Sequence, residues 1–130
     1  MRYNSGNFEL AATDLSNHLS CAHLTQLHRK VALGEIKKPN YRDPSLDVLI
    51  KRGQEHEAAY VEFLSKKGLK IVNLNGQSIE GVVEAMKQGT DVIVQAMLQD
   101  GQWMGYADIL LKVPGKSKFG NWSYEIQDTK

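Results

Sequence analysis

This sequence predicts an α+β fold, with helices gathered in the first half and an antiparallel three-stranded meander in the second. Three observations carry that prediction. Apolar residues recur at near-helical spacing as far as Lys67, and the period then shortens towards two from about Asp91. Asp100-Gly101 lies between the first two strand-like runs, the strongest short-range signal for a β-hairpin. The 130 residues suffice for one domain at most, and 42% apolar with 24% charged is an ordinary globular composition. A disordered, collagen-like or low-complexity chain is excluded.

The elements follow in order. Residues 1–12 are polar and read as a flexible start. Thr13-Asp14 offers a helix N-cap, and Leu15, Leu19, Ala22, Leu24, Leu27 and Val31 follow as far as the terminator Gly34. Glu35 to Pro44 is a polar loop. Ser45 caps a second helix running to about Lys67, with Leu46, Leu49, Ile50, His56, Ala59, Tyr60, Phe63 and Leu64 as its apolar side. Residues 13–67 are thus the helical part, and residues 69–130 hold the strands with one helix.

Leu69 to Leu74 is β-branched, bounded by Asn75-Gly76, and reads as a strand. Ser78 to Gln88 has helical character and ends at Gly89. Asp91–Gln99 and Gln102–Val113 are the hairpin strands. A loop from Pro114 to Gly120 leads into a third run, Asn121 to Lys130. The chain stops inside that run with no Gly, Pro or polar tail, which predicts a domain truncated just after Lys130.

Charge points to no partner. The net charge is +1, without the basic footprint of a dedicated nucleic-acid binder. Local clusters such as Lys37-Lys38 and Lys66-Lys67 read as solvated faces. The single cysteine, Cys21, rules out an internal disulfide and fits a reducing compartment. No secretory signal and no membrane-length apolar run is visible. A cytoplasmic protein without a membrane partner is the expectation.

Three features bear on chemistry. Asp108, in Gly105-Tyr106-Ala107-Asp108-Ile109-Leu110-Leu111, is a carboxylate on a half-buried strand and sits badly there without a partner. In Tyr124-Glu125-Ile126-Gln127-Asp128-Thr129-Lys130, strand alternation puts Asp128 and Lys130 on one face, with Glu125 on the other. An acid and a lysine so placed can hold a divalent cation and orient an attacking water. A bare D-x-K is equally the pattern of a surface ion pair. His56, in Arg52-Gly53-Gln54-Glu55-His56-Glu57, stands on the second helix, where a lone histidine is more often structural than a ligand. Glu55 and Glu57 read as helix surface or as support behind the ligands.

The combination is more specific than its parts. A helix with G-x-x-H-E, a hairpin strand with G-x-A-D and a strand ending E-x-x-D-x-K together resemble the core of the RecB-like PD-(D/E)XK nucleases. The resemblance runs from about Thr13 to Lys130 and is nearest to the RecB-like module found ahead of a ribonuclease H-like domain. It implies a partial restriction-endonuclease-like core lacking its C-terminal part. It implies metal ligation by His56, Asp108 and Asp128, with the Thr129 backbone as a further contact, and Asp108, Asp128 and Lys130 as the catalytic set. The metal implied is Mg²⁺ or Mn²⁺, with the imidazole favouring Mn²⁺.

The implied activity is phosphodiester hydrolysis within a larger nuclease or helicase protein, on DNA ahead of RNA, with a role in DNA repair. A helicase or ribonuclease H-like domain in the same parent chain is the implied partner. Ser20-Cys21-Ala22-His23-Leu24-Thr25 resembles the start of RecB-like nucleases that carry a 4Fe-4S cluster. One thiolate cannot hold such a cluster. Cys21 is therefore either a buried small apolar residue or a cluster ligand in a longer parent only. A zinc site among His18, His23 and His28 is disfavoured, since on one helix their spacing spreads them around it. Two rival readings stay open: an inactive nuclease fold kept for nucleic-acid binding or protein docking, and an α+β domain whose acid and lysine residues form an ion-pair cluster.

Overall fold

The computed structural model describes residues 1–41 and 43–128. It is a mixed α+β structure, and its chain divides into two compact units, Met1–Arg42 with Gln99–Gly105 and Asp43–Leu98 with Tyr106–Lys130. Among the described residues no helix is long and apolar enough to cross a membrane.

The first unit opens on a hairpin instead of a flexible start. Strands β1 (Arg2–Asn4) and β2 (Asn7–Glu9) pair antiparallel around Ser5-Gly6. Both turn residues have positive φ, 47° and 88°, the geometry whose twist suits a two-residue hairpin. The expected single helix is two, α1 (Ala12–Ser20) and α2 (Ala22–Ala32), broken at Cys21, whose φ of −160° and ψ of 104° are extended. The cap of α1 is Ala11, and Asp14 sits in the first turn with its carboxylate accepting from the Ala11 N–H at 2.8 Å. The same carboxylate, buried, takes the Met1 ammonium at 2.6 Å and lies 3.8 Å from His28 Nδ1. Leu10 continues the pairing beyond β2. Its N–H donates to Gln102 O and its carbonyl accepts from Met104 N–H, both at 2.8 Å.

The second unit is built on α3 (Pro44–Lys66). Its cap is Asp43, whose carboxylate accepts from the Ser45 N–H at 2.9 Å, and Pro44 occupies the first helical position, where its missing N–H costs nothing. The helix packs along Glu57, Tyr60, Val61 and Leu64 (i, i+3, i+4, i+7), whereas Leu46, Leu49, Ile50 and Phe63 are exposed. Of the expected apolar side, Tyr60 and Leu64 do pack, whereas Leu46, Leu49, Ile50, His56, Ala59 and Phe63 are exposed and Glu57 and Val61 take their place.

The sheet has four strands of mixed direction, where an antiparallel meander of three was expected. Strand β3 (Ile71–Asn73) runs parallel to β4 (Val92–Asp100), joined through α4 (Ile79–Lys87). A tight turn at Gly101-Gln102 leads to β5 (Trp103–Ser117), and β6 (Gly120–Gln127) pairs antiparallel with it, giving the order β3-β4-β5-β6. Pro114 lies inside β5 opposite Trp122 and does not begin a loop. The register shifts between Pro114 and Ser117, so the irregularity absorbs a residue that cannot donate to a ladder. Val82, Ala85, Ile93, Ala96, Ala107 and Leu110 form one apolar core, and Leu64, Val92, Val94 and Ile109 form another.

The last turn of α4 is held by side chains of the sheet. Trp122 Nε1 donates to Met86 O at 3.0 Å, Tyr124 Oη to Thr90 O at 2.7 Å and Lys112 Nζ to Gly89 O at 2.7 Å. The Lys112 ammonium also meets Asp91 Oδ1 at 2.5 Å, and Asp91 Oδ2 accepts from the Lys70 N–H at 3.0 Å. Met86 O belongs to the last helical turn, and Gly89 O and Thr90 O to the loop that follows, so these side chains tie down both the helix end and the exit from it. Burial pushes the Tyr124 hydroxyl above its ordinary pKa, and the Asp91 charge adds to the shift.

Candidate functional site

Helix α3 and the β4–β5 hairpin bring together three polar side chains. Gln95 Nε2 donates to Glu57 Oε1 at 2.8 Å and lies 3.5 Å from Asp108 Oδ1. Glu57 stands on the packed stripe of α3, Gln95 on β4 and Asp108 on β5, and all three are half-buried.

The backbone here is irregular. Gln95 has φ +55°, in the left-handed region that side chains other than glycine rarely adopt. Val92 and Val94 pack in one core, while Ile93 and Ala96 pack in the other. Strict alternation from Ile93 would send residue 95, not residue 96, to that second core. The alternation therefore slips by one at Gln95, as in a β-bulge. In β5, Ala107 and Leu110 share one core while Ile109 lies in the other, so that strand slips next to Asp108. The two residues facing each other across this group are the two at which their strands lose step.

Asp108 thus finds the partner that its half-buried position called for. Asp128 is exposed and follows directly on β6. The pairing of β5 with β6 ends at Ile109 opposite Gln127, one residue short of Asp128. Gln127 also accepts a 2.6 Å hydrogen bond from Tyr60 Oη, which fixes α3 against this end of β6. His56 is exposed, and its neighbour Glu57 is the helix residue that reaches the sheet. Among the described residues no group of three His, Cys, Asp or Glu side chains is arranged to hold a metal ion, so His56, Asp108 and Asp128 do not make one. Thr129 and Lys130 lie outside the described residues.

Cys21 is exposed at the α1–α2 break, which overturns its reading as a buried apolar residue. The same break removes the single-helix argument about the histidines, although His18 Nδ1 is engaged with Thr25 Oγ1 at 2.9 Å.

Glu57 and Gln95 were missed as site residues. For Glu57 the signal was present, since an i, i+3, i+4, i+7 reading beginning at residue 57 gives Glu, Tyr, Val, Leu. For Gln95 there was none, because a glutamine inside Val-Ile-Val-Gln-Ala carries no mark of positive φ. No family model, no curated protein and no solved structure matches this chain.

Proposed function

We propose that this chain belongs to a metal-dependent nuclease domain of the RecB-like PD-(D/E)XK kind, hydrolysing phosphodiester bonds, with DNA ahead of RNA as substrate. The observation that carries the reading is the Glu57–Gln95–Asp108 group, formed at a strained backbone position on the strand pair that leads to the D-x-K run. Non-glycine residues held at positive φ cluster at functional sites, where the surroundings over-determine them. The order of helix α3, strands β4 and β5 and then strand β6, which ends at Gln127 just before Asp128, supports the reading.

The residues suit a hard divalent cation. Two carboxylates and a primary amide are oxygen donors, and Mg²⁺ commonly uses only one or two carboxylates together with waters and substrate phosphate. The Gln95 amide nitrogen now draws the two carboxylates together. A half-turn of that amide presents Oε1 in its place as a third oxygen. In this reading Asp108 and Glu57 hold the ion with waters and substrate oxygens completing its shell, and Glu57 takes the helical position that the resemblance gives to His56. A bound Mg²⁺ or Mn²⁺ would polarise the scissile phosphate and acidify a water. Lys130, by resemblance, orients that water and offsets the charge that develops on attack. Gln95 keeps Asp108 and Glu57 aimed at one point.

Calorimetric titration of Mn²⁺ into the chain, beside Asp108→Asn and Glu57→Gln, tests the ligand set. Binding should be lost in both variants, while His56→Ala retains it. Metal-dependent cleavage of DNA and RNA strands of one sequence should then fall with Asp108→Asn and Lys130→Ala. Heats that neither carboxylate substitution changes would sink the assignment. Nucleic-acid binding that persists without metal or cleavage would favour the inactive binding module instead.

A further inference from the structure

Beside the carboxylate group, an open groove of about 730 Å³ runs between α3 and the strands β3 and β4. That is within the size range of small-molecule sites. Its apolar lining comes from Ala58 and Val61 on the helix and Ile71 and Val94 on the strands, flat aliphatic surfaces suited to the faces of a ring. Its polar lining includes Gln54, Ser65, Asn73 and Asn75.

The charges in this groove decide between ligand classes. Among the described residues no Lys, Arg or His lines it, so its described walls offer phosphate no cation. Its two carboxylates, Glu57 and Glu62, are both engaged. Glu62 Oε1 meets Lys66 Nζ at 2.7 Å and is neutralised there, while Glu57, which accepts from the neutral Gln95 amide at 2.8 Å, keeps its charge at the edge where the groove meets the carboxylate group. What remains is a neutral ligand, planar enough for the aliphatic walls and rich in donors and acceptors for the amides. Asn and Gln side chains meet that requirement with nucleobases, since one amide can donate to a ring nitrogen and accept from an exocyclic amino group. Asn73 has its Oδ1 committed to the Asn75 N–H at 2.9 Å, so it meets a ligand as a donor through its amide nitrogen.

We infer that the groove binds one unpaired nucleobase, holding the substrate strand so that its backbone passes Asp108. This rests on the nuclease reading for the identity of the strand. Gln95 lines the groove and also binds Glu57 and approaches Asp108, so a base in the groove and the phosphate-side carboxylates share one positioning residue. A base inside a duplex presents its edge but not its face, so the groove selects single-stranded or extruded nucleotides.

The test is an NMR titration of the isotopically labelled chain with adenosine, with inorganic phosphate in parallel. Adenosine should shift the side-chain amides of Gln54, Asn73, Asn75 and Gln95 with a Kd on the order of 1 mM, modest for a ligand of its size. Phosphate should leave them unmoved. Ala58→Trp, an exposed helical position that fills the groove, should abolish the adenosine shifts, and Gln54→Ala should weaken binding several-fold. Amides that do not respond to adenosine, or that respond equally in both variants, would overturn the groove. Metal-dependent cleavage, measured separately with Asp108→Asn as control, distinguishes the two ideas. A chain that binds adenosine and cleaves nothing loses the nuclease reading but keeps the groove. A chain that cleaves and ignores adenosine does the reverse.

Discussion

Removing the Lys112 ammonium should cost the second unit more than an ordinary surface charge. Lys112 Nζ makes two contacts, with Asp91 Oδ1 at 2.5 Å and Gly89 O at 2.7 Å, and its side chain is 32% exposed against 31% for Asp91. A hydrogen bond to a charged group contributes about 1.5–3 kcal/mol when buried, and a fully exposed pair about 0–1. One-third exposure puts each contact near ~1 kcal/mol. Lys112→Met keeps most of the aliphatic stem and should therefore cost about 2 kcal/mol. At about 2.1 cal/mol/K of unfolding entropy per residue, a chain of 130 residues shifts its Tm by about 4 °C per kcal/mol, so the expected drop is about 8 °C.

Asp91→Asn should cost about 1 kcal/mol, because the amide oxygen still accepts from the Lys70 N–H, and the double variant should show about 1 kcal/mol of coupling. Asp91 also sets a pH dependence. The Lys112 hydrogen bond, followed by that of the Lys70 N–H, holds its pKa below the ordinary aspartate value. A depressed folded-state pKa stabilises above the unfolded value, and that stability is lost as pH falls through the folded one. The contribution should be complete at pH 6 and fade below about pH 4, the ordinary aspartate range. Thermal denaturation of the four proteins at several pH values measures all of this. Additive single variants, or an acid limb unchanged by Asp91→Asn, would refute the argument.

Three further outcomes are expected. Gln95→Gly should be more stable than Gln95→Ala by about 1 kcal/mol in urea denaturation, since only glycine adopts φ +55° without strain; a more stable alanine variant would refute the strained-backbone reading. Asp14→Asn should lower stability by about 2 kcal/mol, because a buried carboxylate that meets the Met1 ammonium and the Ala11 N–H is replaced by a neutral group. Burial alone would raise the Asp14 pKa, but its hydrogen bonds and neighbouring cations outweigh that and hold it low, so the wild-type advantage should disappear only in acid. Tyr60→Phe should cost about 1 kcal/mol through the lost bond to Gln127 and show as faster amide exchange at the end of β6.

The elements whose signals are local were legible in the sequence. Helix α4, most of α3 and the hairpin at Gly101 follow from periodicity and turn chemistry. What was not legible depends on long-range packing. Leu46, Leu49 and Ile50 are apolar yet exposed on α3, so periodicity extended the packed stripe over a first half of the helix that the core does not cover. The break at Cys21 has no proline or glycine to announce it. Strand β3 was readable as a strand, but its parallel pairing with β4 depends on a crossover that residue patterns do not encode. Of the site, Asp108 was identified from its discomfort on an apolar strand, whereas Gln95 became visible only through its backbone angle.

The slip at Gln95 has a consequence for how the domain tolerates change. Before the slip β4 serves one core with Val92 and Val94 and the other with Ile93, and after it Ala96 joins the core of Ile93 out of step with that alternation. Residue 95 acts as a spacer between two reading frames, and its length matters more than its chemistry. Substitutions there retain both frames. Deleting the single residue would leave Ala96 and Leu98 on the same core by plain alternation, but would remove the slip that matches the one beside Asp108.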